Sequence, residues 1–452
     1  MLLGTAGPAL SVQAQAGGPT YVVQRGDTLY DIALGFGITV DTLQAANPGI
    51  DPNTLSVGQS LIIPGFEGLT GALATHSLEP GETLDSLSLR LGLKRQTLVR
   101  LNGVVNPDLL FINESAVVVD APDVLPAVPT STTYLLDPGE GLLAFSAAHN
   151  QNPWALAAAN RLSDPALVAP GARLVVPGGT HATQALPYPL LDVTLRPFPV
   201  VQGHTLELQV DTAVPMTVTG VLSDSALHFE ADPGANTRYF ALQGVYRLLD
   251  PNLYPLELSA TGADGQVVRL SQRLPVRSGN YLVDDPLTVD PATIDPATTI
   301  PEQTQIFALA GPATPQRLWD GLFVLPSVGA FRSVFGSLRS YNGGPYNSFH
   351  GGVDFSGAED RPITAPAPGV VVFTGKLVVR GNATVIDHGW GVYTGYWHQS
   401  QILVKIGDHV TTGQILGYQG ATGRVTGPHL HWEVIVGGNQ VDPLQWTKVA
   451  FP

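Results

Sequence analysis

A threefold repeat constrains this chain more than any other feature. The segments "YVVQRGDTLYDIALGFGITVDTLQAANPGIDPNTLSVGQSLIIP" (Tyr21 to Pro64), "HSLEPGETLDSLSLRLGLKRQTLVRLNGVVNPDLLFINESAVVV" (His76 to Val119) and "YLLDPGEGLLAFSAAHNQNPWALAAANRLSDPALVAPGARLVVP" (Tyr134 to Pro177) align without gaps between their key positions. The turn glycines Gly26, Gly81 and Gly139 precede Asn47, Asn102 and Asn160 by 21 residues in every copy. An apolar pair closes each unit: Ile62-Ile63, Val117-Val118 and Val175-Val176. Each copy reads as a short strand, then a Gly-Asp or Gly-Glu turn whose acid suits the first turn of a helix. That helix has apolar residues at helical spacing, Leu29, Ile32, Ala33 and Phe36 in the first copy. A second helix, Val40 to Ala46, ends at an asparagine before a loop and a closing strand. A period of this length makes the N-terminal part a string of small units, not one large core.

The βααβ unit resembles the LysM module, a binder of N-acetylglucosamine-containing glycans such as peptidoglycan and chitin. "GDTLYDIA", "TLQAAN" and "VGQSLIIP" carry the resemblance in the first copy. The second keeps "PGETLDSLSLRLG" and "TLVRLN", and the third diverges, with Gly141 where the others have threonine. The resemblance implies a sugar groove between the first turn and the loop after the second helix. In copy one that places Gly26, Asp27, Thr28, Asn47 and Pro48 against the glycan. The bland alternative is that these residues only cap helices and form turns.

Length and composition agree with a multidomain chain. At 452 residues, about three to five domains are expected. The 50 glycines and 38 prolines, with 13% charged residues, favour short strands and turns over long helices. A net charge of −15 offers no basic footprint for nucleic acid and no polybasic anchor for anionic lipid. With no cysteine, thiolate zinc sites, cysteine nucleophiles and disulfides are excluded. "MLLGTAGPALSVQAQA" (1–16) is a short apolar run ending in Ala14-Gln15-Ala16, and it reads as the remnant of a signal sequence. The expectation is a secreted or envelope protein without stable membrane insertion, acting as a monomer.

The expected domains are therefore 1–16 as signal remnant, LysM-like modules at 20–65, 75–120 and 132–178, and three further regions. From 186 to 279, runs such as "HTLELQVD", "PMTVTGVL" and "YPLELSAT" alternate between turns, which suits an Ig-like β-sandwich without catalytic residues. Residues 280–324 read as a linker or wrapping segment. Its part "DDPLTVDPATIDPATTIPEQ" is an acidic Pro/Thr connector with little core-forming content. Residues 325–452 are strongly β in character and expected to form an antiparallel all-β domain.

Six of the eleven histidines fall in that last part: His350, His388, His398, His409, His429 and His431. In "HLHWEV", His429 and His431 project to one side of a strand while Leu430 faces the other. In "FHGGVDFSG", His350 and Asp354 lie on a turn running into a strand. His, Asp and His suit Zn²⁺, and three protein ligands leave a fourth position open, which separates catalytic from structural zinc. "YTGYWHQS" adds His398. His388 reads as a sheet residue and His409 as a turn residue.

These segments resemble the lysostaphin-type zinc metallopeptidases, which cut peptide cross-links in bacterial cell walls. The likeness runs from about Leu325 to Trp446 through "FGSLRSYNGG", "HGGVDFSG", "ITAPAPGVVVFTG", "GNATVIDHGWGVYTGYWHQS", "GDHVTTGQILGYQGATGRVTGPHLHWEV" and "VDPLQW". It implies one zinc ion held by His350, Asp354 and His431, with His398 and His429 as the catalytic pair. Tyr341 or Tyr346 are candidates to assist the oxyanion. "SGAEDRPI", Gln399 and Val425 depart from the family's pattern without removing a ligand. The resemblance implies a peptidoglycan endopeptidase, with glycan and peptide cross-links as its partners. The rival is a non-catalytic or latent wall-binding protein that activates other hydrolases.

Overall fold

The computed structural model describes residues 18–51, 55–66, 69, 71–91, 93–104, 106, 110–120, 131–136, 140–149, 151–160, 162, 168, 172–177 and 186–452. The expected signal remnant at 1–16 and the turn glycine Gly139 lie outside the described residues. The chain divides into two compact units, 1–187 and 188–452.

In the first unit each repeat contributes a pair of seven-residue helices. Thr28 caps the first helix by accepting from the Asp31 backbone N–H, and Thr83 repeats this with a reciprocal bond from Ser86. Gly141, lacking an oxygen, makes no side-chain cap in the third copy. The repeated asparagine is a staple in all three. Asn47 donates from Nδ2 to the carbonyls of Leu43 and Ile62 and accepts from the Ile62 N–H. Asn102 makes the same bonds to Leu98 and Val117, and Asn160 to Leu156 and Val175. A single side chain thus ties the second helix to the closing strand 15 residues later in every copy. The first two copies are also less separate than the joint between them suggests. Their strands form one four-stranded sheet in which Thr20–Val22 pairs parallel with Ala72–Ser77.

In the second unit, residues 190–277 form two sheets of five and four strands. The C-terminal part is built on an eight-stranded sheet whose order is Phe331–Ser333, Val353–Ser356, His429–Val436, Val392–Gln399, Gly381–Gly389, Gly369–Leu377 and His409–Val410, with Asn439–Val441 paired alongside His429–Val436. All of its ladders are antiparallel. Alternation along His429–Val436 sends Leu430, Trp432 and Val434 into the main core with Phe355, Tyr396 and Trp446. His429, His431, Glu433 and Ile435 take the other face.

That second face corrects the reading of 284–303 as a connector. Residues Pro296–Leu309 form a fourteen-residue helix, capped by Asp295 and started by proline in its first turn. Its Ile306, with Ala310 just beyond it, packs on Ala383, Val385, Tyr393, Trp397 and Ile435. Glu302 is buried and accepts from the backbone N–H groups of Val379 and Arg380 and from the Arg380 guanidinium. The acidic stretch ends at Gln303, short of Ile306 and Ala310, and its one buried acid, Glu302, carries no signal in composition. His409, expected in a turn, sits in a two-residue strand.

The two-sheet region is bolted to the same unit. Gln445 bonds both the N–H and the carbonyl of Thr205, Trp446 Nε1 donates to the Thr205 hydroxyl, and Arg247 donates to the Gly336 carbonyl. No helix among the described residues is long and apolar enough to cross a membrane.

Candidate active site

Sheet register brings two of the site residues together. Asp354 stands directly opposite His431, so their side chains share a face at close range. His350 arrives from the turn before that strand, through Gly351 and Gly352. A side chain at Gly352 would strike the Trp432 carbonyl and the His431 ring, so only glycine lets the turn pass this close. The result is a cluster in which His350 Nε2 lies 3.0 Å from Asp354 Oδ1 and 2.8 Å from His431 Nδ1. His431 Nδ1 lies 2.8 Å from the same carboxylate oxygen.

The outer partners decide which nitrogens face inward. His350 Nδ1 sits 3.0 Å from the Val334 carbonyl, an acceptor only, and so bears its proton there. His431 Nε2 sits 3.0 Å from Glu433 Oε1 and donates to it. His350 Nε2 and His431 Nδ1 therefore converge with Asp354 Oδ1, and such a meeting repels unless a proton or a metal cation lies between. These are the donor atoms that borderline Zn²⁺ takes, and each ring's second nitrogen is held by the kind of partner that orients metal ligands. The residues fit one zinc ion.

Electrostatics agree. Burial opposes ionisation of Glu433 and Asp354, but His431 holds Glu433 at about 2, and His350 and His431 hold Asp354 well below the usual carboxylate range. Burial likewise opposes charge on His431, yet its bonds to Asp354 and Glu433 raise its pKa. Two fixed negative charges thus call for positive charge at this point. The second oxygen of Asp354 lies 3.5 Å from Arg339, which also contacts Asp284 at 3.2 Å.

His398 and His429 line the same cleft, with ring centroids 4.8 Å apart. His398 closes its strand at a register shift with φ of +65°, a left-handed conformation that a non-glycine residue adopts at some cost. Its Nδ1 is 2.8 Å from the Thr422 carbonyl, and His429 Nδ1 is 2.8 Å from that of Gly427. Both rings therefore turn Nε2 away from these carbonyls. Burial, followed by the neighbouring histidines, pushes the His398 pKa well below its ordinary value. Burial also lowers His429, against the pull of Asp354. Both are neutral near pH 7 and able to accept a proton.

The cleft has a volume of about 720 Å³. Tyr341 is among its lining residues; Tyr346 is not, and its hydroxyl donates to the Asp284 carbonyl. His388 is buried between the Pro368 carbonyl and the Thr394 hydroxyl, a sheet residue as expected. Sequence reasoning missed Glu433 as a partner of His431, although the period of two in "HLHWE" already placed it on the same face. It also missed Arg339 and Asp284, for which spacing carries no signal. Replacing Glu433 by glutamine is expected to weaken metal binding about 10- to 100-fold, because the outer partner sets ligand orientation and basicity. Competition with a chromophoric chelator measures it.

In the first unit, Thr28 serves as a helix cap and Asp27 accepts from the Tyr21 hydroxyl and the Gln24 N–H. Both amide hydrogens of Asn47 are used within the fold. Gly26 keeps the positive φ of 99° that its turn requires.

Comparison with known proteins bears on both units. Residues 348–443 match the model of peptidase family M23, and residues 21–64, 76–115 and 138–177 match that of the LysM domain. Over 96 residues the chain is 47% identical to a peptidoglycan DD-endopeptidase, ShyA of Vibrio cholerae, covering 21% of this chain and 22% of that protein. It is 41% identical over 103 residues to a DD-carboxypeptidase/endopeptidase, Mpg of Neisseria meningitidis, covering 23% of each. The chain thus spans less than a quarter of the length of these relatives. The catalytic domain of lysostaphin from Staphylococcus simulans is 30% identical, with a TM-score of 0.22, covering 29% of this chain and 90% of that domain.

Proposed function

We propose that this chain, which carries a peptidase family M23 domain behind three LysM domains, is a zinc-dependent endopeptidase that hydrolyses peptide cross-links or stem peptides of bacterial peptidoglycan. The observation that carries the reading is the convergence of His350 Nε2, Asp354 Oδ1 and His431 Nδ1 beside two neutral histidines in one cleft. Zinc, when bound, supplies a Lewis acid that lowers the pKa of a water toward 7 and polarises the scissile carbonyl. His350, Asp354 and His431 would hold it, with the Val334 carbonyl and Glu433 keeping the two rings in the ligating tautomer. One of His398 and His429 accepts the proton of the attacking water at Nε2 and hands it to the leaving amine; while protonated, that Nε2–H can also hydrogen-bond the developing oxyanion.

The LysM domains concentrate the enzyme on its polymer by adding weak sites to one chain. Gly26, Thr28 and Pro48 of the first are the glycan contacts we favour, together with Asp27 and the backbone of Asn47. Residues 186–279 are an Ig-like sandwich, a reading supported by the two sheets of alternating strands, and serve as a support. The enzyme acts as a monomer, outside the cytoplasm or in the cell envelope, where this polymer lies.

The test is direct. The full chain is expected to bind one equivalent of zinc and to release new amino groups from purified walls, in a chelator-sensitive way that His431→Ala abolishes. Stoichiometric zinc without any release from walls of several chemotypes would sink the enzymatic reading and leave a wall-binding protein.

A further inference from the structure

The cleft contains arginines that the chemistry above does not use. Four line it: Arg332, Arg339, Arg380 and Arg424. Arg339 answers Asp284 and Asp354, and Arg380 answers Glu302. Among the described residues, Arg332 and Arg424 have no carboxylate within ion-pair distance. In a chain of net charge −15, where acids outnumber Lys and Arg by 37 to 22, two unanswered cations in one cleft are unexpected.

Arg424 is the better placed. It belongs to the loop that leads into His429, and its backbone N–H is fixed on the Val379 carbonyl. Its guanidinium lies 4.5 Å over the Tyr341 ring, and one nitrogen donates to the Thr293 carbonyl at 3.1 Å. The group is therefore half-buried and held in one orientation, with most of its five N–H donors still available. Burial lowers the Arg424 pKa, as do the charges of Arg339 and Arg380, while Tyr341 and the more distant Glu302 pull it the other way. Arg332, in the edge strand Phe331–Ser333, lines the same cleft: its guanidinium would touch a side chain placed on Gly427, two residues before His429. A guanidinium already ordered loses little entropy when it pairs with a carboxylate, and its fork matches that group in a way an ammonium does not.

We infer that Arg424, with Arg332 lining the same cleft, forms a subsite for a free carboxylate of the peptide substrate next to the scissile bond. Stem peptides carry such carboxylates on their acidic and diamino-acid residues, and some walls amidate them. The inference deepens the peptidase reading and rests on it. It adds a selection that zinc and the histidines cannot make: substrates with the charge are taken over those in which an amide replaces it. An amide leaves the guanidinium without its anion and loses the charge-assisted bonds.

The experiment compares two cross-linked muropeptides that differ only by amidation of the diamino-acid carboxylate, using the full-length zinc-loaded protein. The wild type is expected to favour the free acid by about 10- to 100-fold in kcat/KM, mostly through KM. Arg424→Gln is expected to remove most of that preference, lowering kcat/KM for the free acid far more than for the amidated substrate, and Arg424→Lys to keep part of it. Equal loss on both substrates would show that Arg424 only props the 293 segment and would overturn the inference, as would a wild type indifferent to amidation. Cleavage of neither substrate by the wild type would overturn the peptidase reading beneath it as well.

Discussion

Replacing His398 by alanine is expected to lower kcat by about 10²- to 10⁴-fold, the contribution of a positioned acid–base group, while the protein keeps its zinc. His398 bonds to the Thr422 carbonyl and stands outside the ligand cluster, so its loss leaves His350, Asp354 and His431 intact. His431→Ala differs in kind. It removes a ligand, and activity and metal disappear together. Zinc content measured beside kcat separates the two roles, and loss of zinc in the His398 variant would contradict the assignment. The pH profile carries a sign. A base works in its neutral form, and burial, with the neighbouring histidines behind it, moves the His398 pKa down. Activity limited by this group therefore persists below pH 6.5, the ordinary histidine value, and falls only as pH drops through the lowered pKa.

Glu302→Ala is expected to cost about 3–5 kcal/mol of stability in the second unit, the range for breaking a buried ion pair from one side. The substitution strips Arg380 of its carboxylate and leaves the Val379 and Arg380 N–H groups without their acceptor. Glu302→Gln, which keeps an acceptor of the same shape, is expected to cost less. Denaturant unfolding of the two variants measures the difference. The same geometry argues against treating 325–452 as a free-standing domain. Without the 296–309 helix, Tyr393, Trp397 and Ile435 lose the cover of Ile306 and Ala310. Because segment 284–303 also lines the cleft, removing it takes away one wall of the candidate site.

Much of the candidate site was readable before the fold. The two-residue spacing of His429 and His431 forces a shared face, and "HLHWEV" alternates so cleanly that Leu430 and Trp432 could only be core. Glu433 obeys the same rule, but its role depends on the His431 Nε2 that it accepts from, which the spacing does not specify. Asp354 beside His431 is different: the pairing is one of register between strands 77 residues apart, and period alone does not set register. The connector reading failed because Pro and Thr at a helix start resemble those of a linker, while Ile306 and Glu302 matter only once a sheet lies beneath them.

The sequence by itself determined the repeat, the order of the modules, the ligand types and the exclusion of thiolate chemistry, because these depend on residue identity and spacing along one chain. Only the tertiary structure decided which nitrogen of each histidine faces the candidate metal position, that Arg339 and Asp284 stand behind Asp354, and that Arg424 has no carboxylate within ion-pair distance among the described residues. Those properties arise from hydrogen-bond partners and charges supplied by distant segments, and their free energies exist only when burial brings the groups together.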